Sequence, residues 1–203
     1  MSFVVVAQSS SYNTDTAYVG NSLRAGEAIE SSDAKKALGY YQKAYTVARR
    51  VNYANGYFEA VRLLAFALNN AGRSDEAKAI VQQALQQADT DTSKRHKMIC
   101  HAALAIMAAR QGDQSEAIRQ YEQTAGYVRA LGRRDNEAVI YNNMAAIYQG
   151  QDMLDQAIAY NQKALAIRRT LPNNDRDIAS SLFNIGSVYG MREDYRRKAN
   201  YAL

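Results

Sequence analysis

Tryptophan is absent from this 203-residue chain, proline occurs once, at Pro172, and cysteine once, at Cys100. A lone thiol rules out an internal disulfide framework and cannot by itself build a structural zinc site. With one proline and abundant Ala, Gln, Leu, Arg and Tyr, long helices meet few breakers, so the expected class is all-α. No apolar run approaches the ~20 residues that span a bilayer. Neither a P-loop nor a strand pattern followed by a glycine-rich turn is present, which leaves parallel-sheet nucleotide folds nothing to build on. No Gly/Ser/Pro-rich linker divides the interior, and the 47% hydrophobic content suffices for one continuous core, so a single domain is expected.

The opening MSFVVVAQSSS lacks the basic n-region and the apolar core of a signal peptide, although Val5 and Ala7 stand at cleavage-like spacing. Two readings stay open: an N-terminal tail over residues 1–17, and the end of an export signal carried by a longer precursor. The compartment therefore stays open too.

What the chain does contain is a repeat. The segments SSDAKKALGYYQKAYTVARR, GRSDEAKAIVQQALQQA, GDQSEAIRQYEQTAGYVRA and QDMLDQAIAYNQKALAIRR align on Ala37, Ala77, Ala117 and Ala157, each 40 residues from the next. Seven residues further stand Ala44, Ala84, Thr124 and Ala164, two turns on and on the same helical face, where small side chains let helices approach closely. Five residues before each marker lies a turn signal, Gly72 and Gly112 in two units and Ser32 and Asp152 in the others. The segments preceding those turns repeat apolar residues three and four apart. Each unit is therefore read as a first helix, a tight turn and a second helix. The units span about 18–57, 58–97, 98–137 and 138–178, with a partial fifth over 179–203 whose second helix would lie within EDYRRKANYAL, with Lys198 at the marker position.

The segment NNMAAIYQGQDMLDQAIAYNQKAL resembles the tetratricopeptide repeat pattern at Asn143, Met144, Ala145, Tyr148, Asp152, Ala157, Asn161 and Ala164, and Asn184, Ile185, Gly186 and Tyr189 match it in part. The family's usual period is 34 residues; the 40-residue unit resembles those of spindle-orientation adaptors and of bacterial signalling proteins that carry such arrays. HEAT and armadillo repeats have a similar period but lack the Gly-Asp turn and the paired alanines. The resemblance implies a right-handed superhelical solenoid of antiparallel helix pairs with first helices lining a concave wall. By the family's inward positions, that wall includes Arg62, Phe66, Asn69 and Asn70 in the second unit, Ile106 and Arg110 in the third, Asn142, Asn143 and Gln149 in the fourth, and Asn184 in the fifth. Amides can pair with both polar groups of a peptide backbone and arginine can anchor a carboxylate. The expected role is a peptide- or protein-binding adaptor or sensor module, with Asn143 and Asn184 on one wall and Arg62 and Arg110 at its positive end. The alternative for single residues is structural: Asn69 and Asn70 ending a helix, Asn142 facing solvent. The family's chaperone-tail clamp is not expected, because Phe66 stands where it needs an asparagine and Ala103 replaces another polar residue.

Other chemistries find little footing. His96 and Cys100 share a helical face, but His101 is about 100° round from Cys100 and no third or fourth ligand is indicated, so neither metal nor cofactor nor catalysis is expected, and the set reads as a buried thiol beside partly exposed histidines. The net charge of +5 and pI near 9.2 keep nucleic acid in view. The basic groups Arg49–Arg50, Arg133–Arg134, Arg168–Arg169 and Arg196 to Lys198 recur near the repeat period. Most close second helices, where they stabilise the dipole, and Asp89, Asp91, Asp135, Glu137, Asp175 and Asp177 lie among them, so an arginine-ridge nucleic-acid binder is the weaker reading. Of the 15 tyrosines, Tyr41, Tyr121, Tyr148 and Tyr189 fall at packing positions, whereas Tyr12, Tyr53 and Tyr57 have no assigned role. Leu182, Ile185 and Val188 of the last hairpin lack a covering repeat, which makes self-association there the structural alternative.

Overall fold

The computed structural model describes the backbone of residues 2–90 and 92–201 and the side chains of 11–90 and 92–193. Among these residues there are nine helices and no strand: α1 (Ser2–Ile29), α2 (Ala34–Arg50), α3 (Ala54–Asn70), α4 (Ser74–Asp89), α5 (Lys94–Gln111), α6 (Gln114–Ala130), α7 (Arg134–Gly150), α8 (Leu154–Arg168) and α9 (Asp175–Tyr201). The helices fall into two compact units, residues 1–107 and 108–203.

The period survives in the backbone with no drift. Second helices begin at residues 34, 74, 114 and 154, and first helices at 54, 94 and 134, forty apart in both series. The reason lies in the turns. Gly72, Gly112 and Asp152 end the first helices in the left-handed region, and Asn52, Gly132 and Asn173 do the same after second helices. Around Gly72 the Gly72 amide donates to the Asn69 carbonyl at 3.2 Å and the Arg73 amide to the Leu68 carbonyl at 2.9 Å. That pair of bonds is a Schellman closure, which needs a residue tolerant of positive φ and favours Gly, then Asn or Asp. Asp33 and Asp113 cap the helices that follow, accepting from the Lys36 amide at 2.9 Å and the Glu116 amide at 3.1 Å. Pro172 lies in the α8–α9 connection, the one place where the next first helix starts 41 rather than 40 residues on.

The eight marker positions are all buried, seven of them alanine and one Thr124, whose hydroxyl donates back to the Gln120 carbonyl at 2.8 Å. In the first unit the core runs through Val19, Tyr41, Phe58, Leu64, Leu68, Val81 and Cys100. Tyr57, without a role from sequence alone, is part of it: its ring lies 5.4 Å from Tyr45 and edge-on to Phe58 at 5.2 Å. Burial, then the neighbouring Tyr45, pushes the Tyr57 hydroxyl well above its ordinary range. In the second unit Leu154, Ala157, Ile158 and Val188 form one cluster, and Ala138, Ala164 and Ile167 another.

Four sequence expectations change. Residues 2–29 form one helix, so the segment read as a tail over 1–17 continues into the first hairpin; nothing in the run before Gly20 breaks a helix. Residues 175–201 likewise form one helix, so the turn expected before a fifth second helix is not made; Gly190 alone does not stop it, and the segment holds no proline. The Lys198 position and the group Arg196 to Lys198 lie outside the described side chains. Val188 is fully buried against α8 rather than left uncovered, while Leu182 is exposed as expected. His96 is buried too, stacked on Phe58 at 4.0 Å with Nε2 3.2 Å from Asn55 Oδ1.

Candidate interaction surface

The exposed large apolar side chains are not scattered. Among the described residues, those on helices are Tyr12 and Tyr18 of α1, Phe66 of α3, Ile106 of α5, Val139 of α7, and Leu182, Phe183 and Tyr189 of α9; the other two, Leu131 and Met153, sit in turns. None falls on α2, α4, α6 or α8. Second helices expose residues such as Lys35, Gln42, Lys78, Gln82, Glu122, Gln156 and Gln162. First helices alone therefore combine a buried face with an exposed apolar one, and large apolar groups left in water mark contact surfaces more often than polar ones do.

In the first unit, Phe66 and Ile106 stand at equivalent positions of α3 and α5, 39% and 37% exposed. Arg62, one turn before Phe66, is held by Glu59 (Nε–Oε1 2.9 Å) and faces Glu27 at 3.6 Å. Arg95 of α5 approaches the other oxygen of Glu59 at 3.5 Å. Arg62 is therefore paired with two carboxylates, one of them shared with Arg95. Asn69 acts as a turn residue, its Oδ1 accepting from the Ser74 hydroxyl at 2.8 Å, and Asn70 is the last residue of α3.

In the second unit the expected amides are largely committed to the fold. With its oxygen turned toward donors, Asn142 Oδ1 accepts from Arg168 Nη1 at 2.8 Å and Nη2 at 3.1 Å. Arg168, read as part of an exposed ridge, is instead buried, and its Nη1 also donates to Ser181 Oγ at 2.6 Å and the Asp177 carbonyl at 3.2 Å. Asn143 Nδ2 donates to the Tyr121 hydroxyl at 3.3 Å and Gln149 Nε2 reaches Met191 Sδ at 3.1 Å. Asn184 is half-buried, and Arg110 is exposed at the end of α5. Beside these, the apolar groups Val139 and Phe183 are open, and Phe183 is 77% exposed. Residue-pattern reasoning missed Val139 and Phe183; the signal was present, since each occupies an inward family position with a bulky apolar side chain.

The remaining chemistry is structural. Burial, then the nearby charge of Asp89, pushes the Cys100 thiol up to about 12, which keeps it protonated and inert at neutral pH. Among the described residues no group of three or more His, Cys, Asp or Glu could hold a metal ion, and no helix is long and apolar enough to cross a membrane. Of the arginine groups, Arg50 is tied to Asp15 at 2.9 Å and Arg134 lies 3.7 Å from Glu137, while Arg49, Arg133 and Arg169 are exposed.

Stacked antiparallel helix pairs on a fixed period, apolar on the exposed side of one helix of each pair, define a helical-repeat scaffold. Tetratricopeptide repeat models match residues 28–99 and 136–197, well over half the chain between them. The chain belongs to the tetratricopeptide repeat family. Among solved structures it is similar to BtubC (BKLC) from P. vanneervenii, at 20% identity and a TM-score of 0.71, over 94% of this chain and 86% of that one. It is equally similar in fold to nearly identical TPR-like repeats of a putative kinesin light chain from Podosopora anserina, at 15% identity and a TM-score of 0.71, over 88% and 90% of the two chains. A comparison with curated proteins finds no match. At these identities the likeness is one of fold: an all-α helical repeat solenoid.

Proposed function

We propose that this protein is a non-catalytic binding module that holds a segment of a protein partner against the exposed faces of its first helices, those carrying the family's inward positions, as the adaptor or sensor part of a signalling or assembly system. Tetratricopeptide repeats generally mediate protein–protein interactions, and the observation that carries the reading here is the confinement of exposed helical apolar residues to α1, α3, α5, α7 and α9. The side chains available for contact are Phe66 and Ile106 in one unit and Val139 and Phe183 in the other. Because Arg62 is paired with Glu59 and Glu27, Asn142 is held by Arg168 and Asn143 donates to Tyr121, affinity should come from apolar anchors, with the Asn184 amide supplying direction.

The test is site-specific photocrosslinking in cells, with a photoreactive residue at position 66 or 183 and, as comparison, at Gln82 or Gln162 of the second helices. Partners should be captured from the first pair and not from the second. A captured segment should then bind the Phe66→Ala/Ile106→Ala or the Val139→Ala/Phe183→Ala protein at least tenfold more weakly, roughly what loss of two half-exposed apolar contacts costs. Equal capture from both sets of positions would move the binding surface off the first helices.

A further inference from the structure

In α3 and α7 two positions one heptad apart are not left open. In α3 these are Val61 and Leu68, both fully buried. In α7 they are Tyr141 and Tyr148, which flank Tyr160 of α8 at 5.8 and 5.4 Å, the second pair stacked, with the Lys163 ammonium 4.5 Å from the Tyr160 ring. Asn143, Met144 and Tyr148 align with Asn184, Ile185 and Tyr189, so the equivalent positions of α9 are Leu182 and Tyr189. They are 47% and 41% exposed, the latter with the Arg192 guanidinium over its ring at 4.6 Å. The opposite side of α9 is taken: Val188 packs in the α8 cluster and Ser181 bonds Arg168. The face carrying Leu182 and Tyr189 is thus a first-helix face with no second helix on it among the described residues.

The α7–α8 pair states what fits such a face. Second helices bring small residues seven apart, fully buried at Ala157 and Ala164, and in α8 a ring three residues after the first. We propose that the Leu182–Tyr189 face of α9 is a docking site for an amphipathic helix of a partner protein, with small residues seven apart and an aromatic side chain between them that enters between Leu182 and Tyr189. A second copy of this chain is the poorer occupant. Its own α9 would set bulky residues against bulky residues, and its second helices already bury their alanines within their own hairpins. This site is separate from the first-helix face that carries Phe183, because Leu182 and Phe183 are adjacent in α9 and point about 100° apart.

The experiment uses the full chain and, as probe, a fluorescein-labelled peptide with the sequence of residues 151–170, which is α8 with its leading turn. Anisotropy should show saturable binding, weakened by more than about tenfold in Leu182→Glu, as expected for losing a leucine-sized apolar contact and burying a charge. Phe183→Glu should leave the peptide bound as before, and a peptide carrying Ala157→Glu should not bind. Unchanged melting temperatures of both protein variants exclude a folding effect. Absence of saturable binding, or equal binding by Leu182→Glu, would overturn the proposal. So would a concentration-dependent dimer in sedimentation that Leu182→Glu converts to monomer, since that assigns the face to a second copy. None of these outcomes depends on Phe66, Ile106 or Val139, so failure here leaves the reading of the first-helix surfaces they mark standing.

Discussion

At the scale of single residues, the marker alanines and the buried tyrosines make the sharpest claims. Ala117 and Ala157 have no exposed surface, so Ala117→Leu and Ala157→Leu force three extra carbons into close-packed helix contacts; each should lower unfolding free energy by about 1–3 kcal/mol in urea titrations. Gly126 is a contrasting case. A Cβ there meets nothing within 4 Å, in mid-α6, so Gly126→Ala should stabilise by roughly 0.5–1 kcal/mol in the same assay. Stability should also depend on pH on the alkaline side. Burial raises the Tyr41 and Tyr57 hydroxyls, in Tyr41 with the adjacent Glu30 adding to it, from an ordinary value of 10, and Cys100 from 9 to about 12. A folded-state pKa above the unfolded one means the native protein holds its proton longer. The contribution is therefore complete below about pH 9 and is lost as pH rises past 9 for the thiol and past 10 for the phenols. Unfolding free energy should be flat from pH 7 to 9 and fall above that, with a shallower fall in Tyr57→Phe; identical slopes in the variant and the wild type would show that Tyr57 is not the group responsible.

At the scale of helices and hairpins, what could be read in the sequence was whatever is local and periodic. Gly72 and Gly112 announce left-handed helix ends because no other residue reaches positive φ so cheaply, and Asp152 could be placed by period alone. The buried alanines were legible for the same reason. The commitments of Asn142 and Arg168 were not, because they are 26 residues apart, on different helices, and nothing in either residue type names the other. His96 was misjudged as partly exposed because a histidine on an apolar face carries no sign of an aromatic such as Phe58 waiting on the neighbouring helix. Phe183 was overlooked in favour of polar residues, although apolar anchors carry most interface energy. Arg168 now yields an element-scale expectation: it joins α7 through Asn142 to α9 through Ser181 and the Asp177 carbonyl. Arg168→Ala leaves the buried Ser181 hydroxyl, and the less buried Asn142 amide and Asp177 carbonyl, without their donor, at about 1–3 kcal/mol, and Arg168→Lys cannot replace a planar fork. Hydrogen exchange should accelerate across residues 175–190 in both variants and stay unchanged in α2 and α3; uniform acceleration along the chain would mean that Arg168 supports global rather than local stability.

At the scale of the whole molecule, a period that holds to the residue from α2 to α8 makes the array modular in principle, but the junctions are not all alike. At the end of α4 the Lys97 ammonium lies 3.4 Å from Asp89; forty residues on, the same two positions hold Arg129 and Glu137, 3.0 Å apart, with the polarity reversed. Glu137 is buried, accepts from the Tyr141 hydroxyl at 3.0 Å, and has one oxygen without a hydrogen bond, so it leans on its arginine heavily. Removing residues 94–133 takes out one full period and joins the turn after α4 to the start of α7, positions that match in the repeat. The backbone then has every reason to fold as a shorter array, yet Asp89 would meet Glu137, and the buried carboxylate would exchange the arginine at 3.0 Å for a like charge, keeping only Arg134 at 3.7 Å. Arg129 is itself 59% exposed, so solvent screens the pair and the cost falls below the ~3–5 kcal/mol of a fully buried one. The shortened chain should therefore be helical but markedly less stable than the same deletion carrying Asp89→Arg, which restores the arginine–glutamate pair at the new junction. Asp89→Arg in the full-length chain should do the opposite, because it sets an arginine against Lys97. Thermal melts followed by circular dichroism at matched concentrations decide it. If Asp89→Arg shifts the melting temperature of the shortened and full-length chains in the same direction, the reversed pair is incidental; opposite shifts mean that the charge pairs fix which repeat can follow which.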